Sequence, residues 1–114
     1  MEPRSQLAIR LRPLPRRRVL GREVPVATGF RSRVLGLALL PRAAAGGGLL
    51  IPRCASVHTF GMRFRLDLVF LDGAGRVLAI RRRVPPRRFA WHRGAAAVLE
   101  IPSREGGEPG APGT

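Results

Sequence analysis

The chain has 114 residues and a formal net charge of +14, from 21 basic against seven acidic side chains. That length suits one domain, with roughly 85 residues left for a core once two polar ends are set aside. Cys54 is the only cysteine, which excludes an internal disulfide, and apolar stretches such as Val34–Leu40 and Leu68–Leu71 are far too short to span a bilayer. Every basic residue is Arg; Lys, Asn and Tyr are missing, while Gly, Ala and Pro abound. This is the bias of a GC-rich genome and suggests an actinobacterium-like source. Much of the arginine excess then reflects codon usage, which weakens the usual inference from a basic chain to nucleic acid, anionic membrane or an acidic partner. With no apolar run of signal-peptide length in residues 1–20, the expected location is the cytoplasm.

Leu7, Ile9 and Leu11 alternate with Ala8, Arg10 and Arg12, a period of two that predicts a short, half-exposed strand. Pro13 and Pro15 stop it or hold it at a sheet edge. Val24 and Val26 suggest a second extended piece, so residues 1–26 read as an N-terminal extension with short edge strands. Thr28 is a candidate helix N-cap. Phe30, Val34 and Leu37 follow at helical spacing until Pro41, which predicts a helix over about residues 30–40. Gly36 inside it costs about 1 kcal/mol against Ala and points to close approach of a neighbour. After a joint at Gly46–Gly48, Leu49–Ile51 reads as a short buried strand. From Ser56 to Ile80 the pattern predicts a β-hairpin at the centre of the domain, turning at Asp72-Gly73-Ala74-Gly75. Phe89, Ala90 and Trp91 read as a loop over the core. Ala96–Ile101 is a further strand, and residues 103–114, lacking any large apolar side chain, read as a disordered tail.

Four stretches fall in a recognisable order: Arg33-Val34-Leu35-Gly36-Leu37 with Arg42 beyond it; Val57-His58-Thr59-Phe60-Gly61-Met62; Leu66–Asp72 with Gly75-Arg76-Val77; and Val98-Leu99-Glu100-Ile101. Together, over residues 27–102, they resemble the bacterial and archaeal family called domain of unknown function 192. The resemblance implies an α+β fold, a small β-rich sheet or partly open barrel with one main helix, in a single domain. It implies no activity, because the family has no established biochemical function. Family members usually continue after the fourth motif with a glycine-containing turn and a last hydrophobic strand, which residues 103–114 cannot supply. The expectation is an exposed sheet edge, or strand-mediated self-association that completes the sheet.

The candidate binding residues are His58, Thr59, Met62, Asp67 and Arg33. Asp67 interrupts an apolar run, and a buried carboxylate is costly unless paired. Its expected partner is Arg33 or Arg63; the alternative is a general base or polar contact near His58. Cys54, four residues before His58, and His92 suggest a soft-metal or nucleophile site. Cys-x-x-x-His lacks the paired ligands of a structural zinc site, so neither metal nor cofactor is expected, and a buried thiol, a hydrogen-bonded His58 and a core Met62 is the plainer reading. Ser56 and Thr59 have no strand-turn-helix elbow around them. Glu100 reads as a partner for an arginine. Arg81, Arg82, Arg83, Arg87 and Arg88 cluster before Phe89 and Trp91, a combination suited to phosphates and bases, although no nucleic-acid motif accompanies it.

The leading reading is a non-catalytic accessory domain that binds a small molecule or protein near His58–Met62 and Asp67. The alternatives are a small hydrolase-like enzyme using His58 with Asp67 or Cys54, and a nucleic-acid-binding protein using the arginine clusters.

Overall fold

The computed structural model describes residues 7–104. Within them the order is β1 (Arg16–Val19), β2 (Arg22–Pro25), α1 (Phe30–Leu35), a 3₁₀ turn (Arg42–Ala44), β3 (Leu49–Pro52), β4 (Ser56–His58), β5 (Leu66–Leu71), β6 (Val77–Val84), β7 (Phe89–Trp91) and β8 (Ala97–Pro102). The fold is mostly β-sheet with one short helix, and the main sheet does not close into a barrel.

β5 takes a central position because its sequence, Leu-Asp-Leu-Val-Phe-Leu, is apolar on both faces. It pairs with β8 and β6 in an antiparallel sheet of order β3-β8-β5-β6. Leu66, Leu68 and Phe70 join one core with Leu37, Leu49, Ile51, Met62 and Val98. Val69 and Leu71 join another with Val24, Val26, Leu50 and Leu99. The β1–β2 hairpin supplies Val24 to the second face, while Leu7, Leu11 and the segment after α1 cover the first. Each fully buried side chain of this size contributes about 1.5–3 kcal/mol. On one edge, Val26 forms a parallel bridge to Leu50 of β3. The other edge, β6, is open among the described residues and carries Arg81–Arg83, charges that discourage further pairing.

Several expectations are corrected. Residues 7–14 form turns, not a strand: Leu7 and Leu11 are buried but Ile9 between them is 78% exposed. A spacing of four fits a turn as well as a strand, and here the Leu11 N–H bonds the Ala8 carbonyl. The helix stops at Leu35, and its N-cap is Gly29 instead of Thr28. Gly36 lies just beyond the helix at φ 54°, ψ −128°, a conformation that favours glycine. Phe30 and Val34 therefore face outward, and Leu37, Ala38 and Leu40 enter the core only after the chain has turned. The central hairpin is Leu66–Val84, and its turn at Asp72–Gly75 is where composition placed it, with the Asp72 carboxylate accepting the Ala74 and Arg76 N–H groups, each at 2.9 Å. Ser56–His58 belongs to a separate two-stranded sheet, paired with Phe89–Trp91, which is a strand and not a loop. Ser103, expected in the tail, is buried against β5 and Arg104 after it is exposed; residues 105–114 of that expected tail lie outside the described residues.

Candidate functional site

α1, β3, β4 and β8 surround a cleft of about 270 Å³. α1 lends Phe30, Arg33 and Val34 to its wall, β4 lends Ser56, Val57 and His58, and Glu100 of β8 lies inside, with Ile51 and Cys54 between them.

Glu100 is the anomaly of the sheet. Its strand lies between β3 and β5, where it is in register with Leu49 and Leu68, and it is only 2% exposed. Among the described residues its carboxyl accepts a single hydrogen bond, from the Leu37 N–H at 3.3 Å. Burial pushes its pKa up to about 7, opposed by the Leu37 N–H, which favours the ionised form. That N–H is available because the chain breaks from the helix at Gly36. The absence of a side chain at Gly36 is needed for the same reason: a Cβ there would lie 2.6 Å from Glu100 Oε1. The expectation that Glu100 partners an arginine is thus replaced by a backbone donor.

Arg33 contributes the cleft's cation. Its Nη2 donates to the Arg53 carbonyl at 2.7 Å, but its Nε is buried without a hydrogen-bond partner among the described residues. An unmatched buried donor of this kind costs about 1–3 kcal/mol, more when charged. His58 Nδ1 accepts the Phe60 N–H at 3.2 Å, which leaves Nε2 to carry the proton of the neutral ring. The Cys54 thiol donates to the Ser56 carbonyl at 2.9 Å and makes no hydrogen bond to His58.

The other sequence candidates lie outside this cleft. Thr59 is buried; its hydroxyl donates to the Pro85 carbonyl at 2.7 Å and accepts the Arg88 N–H at 2.8 Å, tying two loops together. Met62 packs in the first core. Asp67 does not pair with Arg33 or Arg63. It accepts the Arg83 N–H at 2.9 Å and the Ser103 hydroxyl at 2.7 Å, and its other oxygen lies 3.7 Å from Arg82 Nη1. None of these contacts is His58. The reason is a register shift between Leu66 and Leu68, where β6 takes an extra residue and Arg83 adopts φ 54°; the carboxylate closes that bulge. His92 accepts the Gly94 N–H at 3.1 Å beside the Phe70 ring. Arg81 Nη2 reaches the Trp91 carbonyl at 3.5 Å, so these two nucleic-acid candidates are neighbours. Among the described residues no three His, Cys, Asp or Glu side chains gather as metal ligands, and no helix is long and apolar enough to cross a membrane.

Arg33, Gly36, His58 and Glu100, drawn from three of the four ordered motifs, thus meet in or beside one cleft, and the model of a family of unknown function (DUF192, described as an uncharacterised ACR) matches residues 15–108. The chain belongs to the DUF192 family. A curated relative of this DUF192 chain, the UPF0127 protein of Thermococcus sibiricus (strain DSM 12597 / MM 739), is 31% identical over 83 residues, which is 69% of this chain and 54% of the relative. The chain therefore spans about half the length of that relative. Two solved structures share the DUF192 chain's fold. One is a protein of unknown function from Novosphingobium aromaticivorans DSM 12444, with TM-score 0.57 and 22% identity over 72% of this chain and 64% of that one. The other, described as a candidate transcription regulator from Sinorhizobium meliloti 1021, has TM-score 0.62 and 22% identity over 77% of this chain and 78% of that one.

Proposed function

We propose that this DUF192 domain is a non-catalytic binding protein that holds a small organic ligand in the cleft between α1 and β4. One observation carries the reading: two residues lining the same cleft, Glu100 and Arg33, bury polar groups (the carboxyl and Nε) that have fewer hydrogen-bond partners among the described residues than they can make. Native structures rarely leave such groups unmatched, and a bound molecule would match both. Below neutral pH, Glu100 is largely protonated and donates, and Arg33 and His58 Nε2 donate as well. The ligand is then an acceptor, most simply a monocarboxylate, with an apolar body against Phe30, Val34 and Val57. The site sequence reading placed at His58–Met62 and Asp67 is accordingly redrawn around Glu100, Arg33 and His58, with Thr59, Met62 and Asp67 as supports of the surrounding loops and sheet.

An NMR titration of the full chain with a panel of aliphatic and aromatic monocarboxylates tests this. Saturable shifts at Leu37, His58 and Arg33, weakened at least tenfold in Arg33→Gln, are the expected result. Monocarboxylates that leave those signals unmoved at millimolar concentration would remove the proposal.

A further inference from the structure

The β4–β7 sheet presents a second surface, which adjoins the cleft at His58: that residue is opposite Phe89 across the two strands, and its ring lies 6.0 Å from Phe60. In β7, Ala90 points into the core while Phe89 and Trp91 point outward, 67% and 64% exposed. Phe60, 43% exposed, meets the Phe89 ring edge-on at 5.2 Å. Three large aromatic side chains in water, on a chain with only five Phe and one Trp, form an unusually apolar patch for the surface of one small domain.

Arginines border this patch, Arg87 and Arg88 immediately before Phe89 in the chain and Arg81 beside Trp91. Arg81 donates to the Trp91 carbonyl. Thr59 holds the backbone of the other two: its carbonyl accepts the Arg87 N–H at 3.2 Å and its hydroxyl the Arg88 N–H at 2.8 Å. Arg87 sits at φ 65°, a conformation unfavourable to a non-glycine residue that persists only where neighbours enforce it. The described acidic groups do not neutralise the frame. Glu23 pairs with Arg16, Asp72 with Arg76 and Asp67 with Arg82, while Glu100 is buried.

We propose that this face binds single-stranded nucleic acid, with bases stacked on Phe89 and Trp91 and phosphates held by Arg81, Arg87 and Arg88. Outward residues two apart on a strand stand about 6.8 Å from each other, twice the roughly 3.4 Å per nucleotide of a stacked strand, so successive rings do not compete for one base. Base–aromatic stacking needs no sequence code, which suits a surface without a groove-reading element. A duplex keeps its base faces stacked internally and leaves these rings without partners. A second copy of the chain would bring like-charged arginine frames together and is disfavoured.

Trp91 is the only tryptophan, so it reports on stacking directly. The full chain is titrated with an oligothymidylate and an oligouridylate, reading tryptophan fluorescence and the anisotropy of a labelled strand. The expected result is salt-sensitive binding that quenches Trp91. Phe89→Ala weakens it about 5- to 100-fold. Arg81→Gln and Arg88→Gln each lower the slope of log affinity against log salt by about 0.7. Glu100→Gln leaves it unchanged, which separates this face from the cleft. Absence of binding at low salt overturns the proposal, as does binding without quenching, equal binding and quenching by the duplex, or equal affinity for polyglutamate, the signature of a surface for acidic peptides. Should Phe89→Ala fail to fold by circular dichroism, the parent's quenching and the two exposed arginine variants decide alone.

Discussion

Glu100 prefers its protonated form inside the sheet, and this couples stability to pH. Its folded pKa of about 7 lies above the ordinary 4.5. Below 4.5 both folded and unfolded chains hold the proton and the folded state keeps its full stability. As pH rises from there to about 7, the unfolded chain releases the proton first, and stability falls; above 7 the contribution is flat. The loss amounts to about 3 kcal/mol. Glu100→Gln, which keeps an acceptor for Leu37 without a charge, is expected to abolish this slope; denaturant midpoints measured across pH 4–8 check it. Gly36→Ala is expected to destabilise by about 1–3 kcal/mol, because its φ is positive and its Cβ would meet the Glu100 carboxylate. Gly36 was legible as a point of close approach. Its neighbour was not, since Glu100 is 64 residues away in a strand whose register no local pattern specifies.

At the scale of elements, sequence legibility follows burial. Leu49–Ile51, Leu66–Leu71 and Ala97–Ile101 are apolar on both faces, and all three are strands of the main sheet. The short pieces fail differently. In β7, Phe89 and Trp91 are outward, so their apolarity suggests core cover where the structure has an exposed strand edge-paired with β4. In α1, six residues pass for eleven because Leu37 continues the helical spacing after the helix has ended. Asp67 was legible as a carboxylate in need of partners, but they come from a β6 bulge and from Ser103 after β8, neither visible as a local motif. The brace joins three strands, so Asp67→Ala is expected to cost about 2–3 kcal/mol by leaving the Arg83 N–H unmatched. Urea unfolding should show a lower midpoint at constant m-value.

For the whole molecule, a net charge of +14 works against compaction. Raising ionic strength from about 0.01 M to 0.15 M shortens the screening length from roughly 30 Å to 8 Å, and the melting temperature is expected to rise; calorimetry at the two salt concentrations measures it. The arginines differ in their surroundings. Arg81 and Arg82 of β6 and Arg87 and Arg88 before β7 are exposed, whereas Arg33 buries its Nε in the wall of the cleft that Glu100 also lines. The proposed ligand is one that accepts from both. The Glu100 carboxyl carbon, followed by ¹³C NMR as pH is varied, reports that arrangement directly. A midpoint near 7 in the free chain, moving higher when a bound monocarboxylate accepts a hydrogen bond from the protonated Glu100 carboxyl, is the predicted result. A midpoint in the ordinary carboxylate range, unmoved by any monocarboxylate, would contradict it.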